Sequence, residues 1–264
     1  MDTMSRFVYL YRPASKQSGP EVKHLPSSIT ALTDLEQLLP GDVVLPRFYP
    51  FAHLLQQEVE ARGARLINSA QAHDWLGNIE EWYPALSHLT PATWFQLEDV
   101  EGNGPYFCKG LDKSLKEDWR QFCFAQDRGD LPRVLANLKQ ASSEESFCIR
   151  QYHQLQAFGI TEGYTPLAHE FRCFIYQGQL VSQGFYWRKL VPHFSPTPPP
   201  SSFIEQVAAA VGDRASYYTA DVALTREGEW ILIELNDGTL AGLEGMDAAP
   251  HYRRLAQIWS SNPR

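Results

Sequence analysis

Hydrophobic and polar positions follow two different patterns along this chain. In the first part, apolar runs such as FVYLY at 7–11 and DVVLPRFYP at 42–50 alternate with helical patterns at 52–63 and about 71–88. Strands that alternate with helices are typical of βαβ units, in which the strands form a parallel sheet. We therefore predict a small α/β domain over residues 1–90.

Farther along, the pattern changes to longer strands that return on themselves. PYFCKG at 105–110 and SFCIRQYHQL at 146–155 read as strands, and two segments, 168–190 and 217–236, read as hairpins. Glycine at a tight turn between alternating strands favours a β-hairpin. The pattern predicts antiparallel sheets over residues 91–264, so the whole chain is of the α+β class with an α/β N-terminal part.

A proline-rich segment interrupts the second region. HFSPTPPPSS at 193–202 contains too much proline for a regular helix or strand, which predicts an exposed loop that includes residues 195–200. Ser202 and Glu205 have the spacing of a capping box, and we expect the next helix to begin there. A last helix is predicted over about 248–259.

Composition narrows the class of protein. The chain has 264 residues, 44% hydrophobic and 20% charged, with a net charge of −8. This acidic balance argues against general nucleic-acid binding. The four cysteines stand far apart and form no metal-ligand spacing, so we expect reduced, buried thiols. No apolar run approaches the roughly 18 residues of a membrane span, and we predict a cytoplasmic protein with no membrane partner.

The second hairpin carries acidic residues at one end. If its turn lies at Glu227-Gly228, Asp221 stands directly opposite Glu234, with Asn236 close by. Strict alternation then assigns five apolar residues to the buried face: Val222, Leu224, Ile231, Ile233 and Leu235. Like charges in opposed positions are destabilising, so a positive group is expected between the two carboxylates.

These side chains suit a magnesium site. Asp221, Glu234 and Asn236 offer two carboxylates and an amide oxygen, the hard ligands that Mg²⁺ prefers. The following sequence DGTLAGLEG allows backbone to approach a ligand closely. The alternative is that Asp221 and Glu234 are solvated residues on an open sheet face.

Three basic residues lie in strands upstream. Lys109 ends the strand YFCK, and Arg150 and Arg172 lie inside apolar strands, where a guanidinium needs an anionic partner. A salt bridge between Arg172 and Glu170 is the simpler alternative. Two such arginines, a lysine and an acidic cluster together indicate a bound polyphosphate. Neither GxxxxGK[ST] nor GxGxxG is present, so a P-loop or Rossmann site is not supported.

The order of these features resembles the ATP-grasp superfamily. A lysine strand, a strand with Arg150, an E-x-R hairpin and an Asp strand paired with one ending in ELN follow in that order. The chain is similar to a subgroup marked by two arginines and one lysine, over roughly residues 90–260. The resemblance implies two antiparallel-sheet subdomains that grip ATP, preceded by a small βαβ pre-ATP-grasp domain.

The resemblance also implies roles for individual residues. Lys109 is expected to reach the phosphates or the adenine, and Arg172 to contact phosphate. Arg150, Gln151 and Tyr152 are expected to border the adenine, partly through backbone atoms, with Gln151 standing where the superfamily commonly has an acid. Both arginines are candidate catalytic residues, because they would neutralise charge on the transferring phosphoryl group.

The expected activity is that of a ligase that requires ATP and Mg²⁺. Such an enzyme joins a small-molecule or peptide carboxylate to an amine or similar nucleophile through an acylphosphate, and it needs no covalent protein nucleophile. Two alternatives stay open at this point. The chain could be a nucleotide-binding module without turnover, or a metal-dependent hydrolase that does not use ATP.

Overall fold

The structure, a computed structural model, describes residues 5–16, 18–48, 51–111, 119–141, 146–160 and 166–262. Within these ranges the strands are β1 Phe7–Leu10, β2 Ile29–Leu32, β3 Val43–Pro46, β4 Arg65–Leu66, β5 Thr93–Trp94, β6 Tyr106–Gly110, β7 Phe124–Ala125, β8 Phe147–Gln151, β9 Ala157–Ile160, β10 Pro166–Ala168, β11 Glu170–Tyr176, β12 Gln179–Phe185, β13 Tyr217–Leu224 and β14 Trp230–Asp237. The α-helices are α1 Ser18–Glu21, α2 Ala52–Glu60, α3 Ala70–Gly77, α4 Ile79–Leu86, α5 Trp119–Phe122, α6 Leu131–Ala141, α7 Ser201–Val211 and α8 Ala248–Ser261. Among the described residues, no helix has the length and hydrophobicity that a membrane span requires.

The first sheet is parallel, as the sequence predicts. Its strand order is β2-β1-β3-β4. Residues of α2 pack on one face and residues of the C-terminal α8 on the other, so β1 and β3 are buried throughout. β2 was missed from the sequence because only Ile29 of its residues is buried. The shared core with α8 joins the N-terminal region to the rest of the chain, and the division at residues 90 and 91 stays a prediction.

The second sheet is antiparallel and has the order β5-β8-β6-β7. The helix α6 covers one face with Leu131, Val134 and Leu138, which pack with Cys108 and Ile149 of the sheet. All four cysteines of the chain are free and buried, as predicted. This sheet positions Lys109 on β6 and Arg150 on β8.

The third sheet is antiparallel and has the order β12-β11-β13-β14. The predicted turn at Gln177 and Gly178 is confirmed, and both residues have positive φ angles, 48° and 72°. One face packs against α3, α4 and α7 in the largest core cluster. The opposite face meets the first sheet and α8 at one end and the second sheet at the other, so this sheet is the centre of the fold.

An irregularity in β14 overturns part of the predicted alternation. Asp221 is opposed to Glu234 but Val222 is opposed to Leu232, so Ile233 has no opposed residue and the register shifts there. The extra residue reverses the side-chain alternation, as a β-bulge does. Leu232, rather than Ile231 or Ile233, therefore enters the core beside Val222, while Ile231 and Ile233 line a cleft.

The predicted capping box of α7 is also wrong. The helix begins at Ser201, one residue earlier than expected, and Pro200 is the N-cap residue with no side-chain cap hydrogen bond. The fixed φ of Pro200, −60°, leads the chain into the helix without a capping side chain. The helix ends before Gly212, as predicted, and α8 begins after Asp247, whose carboxylate accepts from the N–H of Ala249.

A buried arginine joins the first sheet to the loop after β14. Arg47 follows β3, and its Nη1 donates to the carbonyl oxygens of Gly238, Thr239 and Ala241 at 2.8–3.0 Å. Its Nε and Nη2 donate to Glu21, at 3.1 and 2.9 Å. The glycine-rich loop, residues 238–245, is thereby attached to the N-terminal region through backbone atoms that would otherwise be buried without partners.

Removing Arg47 should strongly destabilise the protein. In Arg47→Met, Glu21 stays buried without its cation and three carbonyls lose their donor, so we expect a loss of about 3–5 kcal/mol in the free energy of unfolding. Urea denaturation checks this, with Arg62→Met as the control because Arg62 pairs with Glu36 at the surface and should cost about 1 kcal/mol or less. Equal losses in the two variants would contradict the prediction.

Candidate active site

A cleft with a volume of about 250 Å³ lies between the second and third sheets. Five of the residues predicted for the site line this intersheet cleft: Lys109, Arg150, Gln151, Tyr152 and Glu234. The other three, Arg172, Asp221 and Asn236, do not line it but lie on the strands of its third-sheet wall. The two sheets thus bring together residues that are up to 127 positions apart in the sequence, from Lys109 to Asn236.

Arg172, Asp221 and Glu234 form one row across three neighbouring strands. Arg172 is directly opposed to Asp221, and Asp221 to Glu234. Opposed residues of antiparallel strands project from the same face of the sheet. The predicted opposition of Asp221 and Glu234 is therefore confirmed.

The buried cation of this row is Arg172. Its Nε and Nη2 donate to the two carboxylate oxygens of Asp221 at 2.8 and 2.7 Å, and it also lies 3.7 Å from Glu244. Burial acts to lower the pKa of Arg172, but the ion pair with Asp221 outweighs it and the net direction is upward. Arg172 thus pairs with Asp221 and Glu244, and not with Glu170 as the simpler alternative supposed.

Lys109 reaches across the cleft to the other end of the row. Its Nζ donates to Oε1 of Glu234 at 2.6 Å, and the lysine side chain is 8% exposed while that of Glu234 is 27% exposed. Each carboxylate of the opposed pair therefore has a cationic partner from this chain, Asp221 from within its own sheet and Glu234 from the second sheet. These two contacts offset the repulsion that the opposition creates.

The guanidinium of Arg150 is bound to backbone and hydroxyl groups. Its Nη1 donates to the carbonyl of Ile233 at 2.8 Å, and its Nη2 to Oγ1 of Thr90 at 2.6 Å, which in turn donates to the carbonyl of Leu232. Burial lowers the pKa of Arg150. The residue that the bulge leaves unopposed thus presents its carbonyl to the second sheet, and Arg150 links the sheets there.

The donor set near the end of β14 fits a hard divalent cation. Asp221 and Glu234 supply carboxylates, and half-buried Asn236 is opposed to Thr219. The hydroxyl of Thr219 is buried and has no hydrogen-bond partner among the described residues, as expected where a hydrated ion would supply one. No cluster of three or more His, Cys, Asp or Glu suited to a metal exists in the described part of the chain, so a site here depends on the amide.

Aromatic side chains form the wall of the cleft near Tyr152. The Tyr152 ring stacks on Trp119 with centroids 6.2 Å apart and meets Phe124 edge-on at 5.1 Å. Burial raises the pKa of Tyr152. The N–H groups of Gln151 and Tyr152 donate to carbonyls of Ala92 and Pro105, so they are already occupied within the protein. A backbone contact to a ligand from these two residues must therefore use their carbonyl groups.

A polar contact between the N-terminal region and β14 was missed from the sequence. Asp237 accepts from Nδ2 of Asn68 at 2.9 Å and lies 3.0 Å from Nδ1 of His73. Asn68 also accepts from the N–H of Tyr217. A polar residue directly after the ELN strand end was the available signal, but its partners are distant in the sequence.

A protein-family model gives the class of this chain. The model, which describes an ATP-grasp domain of clade family 3, matches residues 96–260, more than half of the chain. The chain belongs to this ATP-grasp family. The two antiparallel sheets with a cleft between them are the ATP-grasp fold that the sequence resemblance implied. Among curated proteins, no sequence matches the chain significantly.

Solved structures support the fold over nearly the whole chain. A RimK domain ATP-grasp protein from Sphaerobacter thermophilus is 13% identical with a TM-score of 0.60, covering 96% of this chain and 99% of its own. The macrocyclase MdnC from Microcystis aeruginosa, bound with its precursor peptide MdnA, is 11% identical with a TM-score of 0.60 and coverages of 98% and 100%. D-alanyl-alanine synthetase A from Vibrio cholerae is 13% identical with a TM-score of 0.57 and coverages of 97% and 97%.

The His73–Asp237 contact should make stability depend on pH. The hydrogen bond to Asp237 raises the pKa of His73 in the folded protein. The protonated pair therefore contributes fully below about pH 6.5, the pKa of an unperturbed His, and this contribution is lost as pH rises through the higher folded value.

The expected result is that His73→Gln lowers the free energy of unfolding more at about pH 5.5 than at about pH 9. Urea denaturation at several pH values measures the difference, and exposed His88→Gln is the control. A His73→Gln deficit that does not change with pH would count against the ion pair.

Proposed function

We propose that this protein is a ligase that uses ATP and Mg²⁺ to join a carboxylate to an amine or similar nucleophile through an acylphosphate. The observation that carries the proposal is the row of Arg172, Asp221 and Glu234, which faces Lys109 across the intersheet cleft of an ATP-grasp chain. Relatives by fold are ligases, and one of them was solved with ADP and Mg.

The nucleotide would occupy the intersheet cleft. The apolar part of its wall, with Phe107, Ile231 and Ile233, suits the adenine, and the lining Gln151 and Tyr152 border the same space. Lys109 and Arg172 are assigned to the phosphates, and Arg150 to the edge of the nucleotide nearest the bulge. In this proposal Lys109, Arg150 and Arg172 are the lysine and the two arginines that mark the subgroup.

The metal would be held by Asp221, Glu234 and Asn236. When bound, Mg²⁺ would neutralise phosphate charge and lower the cost of phosphoryl transfer. Lys109 is then free to exchange its carboxylate partner for a phosphate oxygen, because the cation takes over the charge of Glu234. The exchange keeps the cleft electrically balanced with and without nucleotide, which a buried lysine requires.

The chemistry needs no protein nucleophile. The carboxylate of the substrate attacks the terminal phosphoryl group of ATP and ADP leaves; the amine then attacks the acylphosphate carbon and phosphate leaves. Arg172 and Lys109 stabilise the negative charge of the transferring group by fixed positive charge in a cleft with little water. The substrate is a small molecule or a peptide, and relatives of both kinds occur among the similar structures. Four buried free thiols support a cytoplasmic location.

The alternative with a specific observation in its favour is a nucleotide-binding module without turnover. The two bonds from Arg172 to Asp221 hold a proposed metal ligand in a complete ion pair. Separate measurements of ATP binding and of phosphate release, with and without Mg²⁺, distinguish the two functions. Binding without phosphate release over a broad panel of acids and amines would favour the module.

Glu234→Ala should remove turnover without removing the fold. The variant loses one metal ligand, and we expect ATP-dependent phosphate release to fall by about 100-fold or more. Glu205→Ala, an exposed change on α7, is the matched control. A thermal melt of each variant tests folding, and normal turnover in Glu234→Ala would show that this carboxylate is not a metal ligand.

A further inference from the structure

A second cavity, of about 420 Å³, lies on the other side of the glycine-rich loop. It is bordered by residues 12–15 after β1, by Arg47 and Phe48 after β3, and by Thr239 and Leu240 of the loop. Arg12 and Ala14 are exposed at its rim, whereas Arg47 and Thr239 are buried. We call it the switch-point cavity.

Its position in the first sheet is that of a ligand site. β1 has β2 on one side and β3 on the other, so the chain turns in opposite directions on leaving and on returning to β1. The crevice at the carboxyl ends of two such strands is where open parallel sheets bind their ligands. Both strands end next to the cavity, at Leu10 and Pro46.

Arg12 supplies the available charge. Its guanidinium lies 4.6 Å from the centre of the Phe48 ring, and it makes no ion pair with any residue in the described part of the chain. The charge of Arg47 is matched by Glu21, and its Nη1 is bound to loop carbonyls. Arg12 is thus free to bind a carboxylate, for which its planar guanidinium is suited.

The loop connects this cavity to the proposed site of phosphoryl transfer. Thr239 and Leu240 border the cavity and lie a few residues after Asn236. Farther along the same loop, the carbonyl of Gly242 accepts from Nη1 of Arg172 at 3.3 Å. A molecule in the switch-point cavity is therefore separated from the Arg172 row only by one short loop.

We propose that the switch-point cavity binds the acid substrate, and that this substrate is a small dicarboxylic acid. This inference rests on the proposed ligase function. One carboxylate binds Arg12 and the other reaches toward Arg172 as the reacting group, while Phe48 and Leu240 contact the carbon chain. The volume lies in the range of about 300–1,000 Å³ that small-molecule sites occupy.

Binding assays test the proposal without turnover. Glutarate and glutamate are the probes, butyrate is the monoacid control, and sodium chloride at matched ionic strength controls for salt. Isothermal titration with Mg²⁺ and a non-hydrolysable ATP analogue should detect the dicarboxylates and not butyrate. Arg12→Gln should weaken their binding by at least about tenfold, Arg12→Lys should keep part of it, and exposed Arg133→Gln should bind as the unchanged protein does.

Two results would overturn the proposal: no binding of either dicarboxylate, or equal affinity in Arg12→Gln and the unchanged protein. Thermal melts of the Arg12 variants exclude misfolding as the cause of a loss. Because binding is read separately from ATP consumption, the two proposals can fail separately. Dicarboxylate binding without phosphate release would remove the ligase alone, and phosphate release with monoacids alone would remove the cavity assignment alone.

Discussion

Opposed charge on neighbouring strands is the constraint on which this structure depends. Asp221 and Glu234 face each other across β13 and β14, and both lie in a region from which most water is excluded. Such a pair is tolerated only with compensating cations. The chain provides Arg172 from the next strand and Lys109 from the opposite sheet, so the position of the second sheet relative to the third is tied to the charge of the site.

Two further arginines hold irregular backbone around this charged row. Arg150 donates to the carbonyl that the bulge at Ile233 leaves unopposed, and Arg47 donates to three carbonyls of the glycine-rich loop. Regular strands satisfy their own carbonyls, but a bulge and a loop do not. A guanidinium has several donors in a fixed plane, which suits it to such groups. The departures from regular structure next to the site are therefore stabilised by residues from other parts of the chain.

Local patterns were sufficient to predict much of the fold. The parallel and antiparallel regions, the turn at Gln177-Gly178 and the opposition of Asp221 to Glu234 were all predicted from spacing and residue type. The site residues on the second sheet were identified as buried or strand-end cations. The assignment of Ile231 and Ile233 to the core failed because alternation assumes one opposed residue for each position, and a bulge breaks that rule without a marker in the residue types.

The sequence by itself determined which strands carry charge and the register that opposes two carboxylates, because hairpin pairing follows from a local turn and a period of two residues. Only the tertiary structure decided which cation meets which anion. Arg172 could have paired with Glu170 two residues away, but Asp221 is opposed to it on the adjacent strand. Lys109 meets Glu234, and Arg47 meets the loop, across 125 and about 190 residues, since these partners are chosen by the packing of separate sheets and not by spacing along the chain.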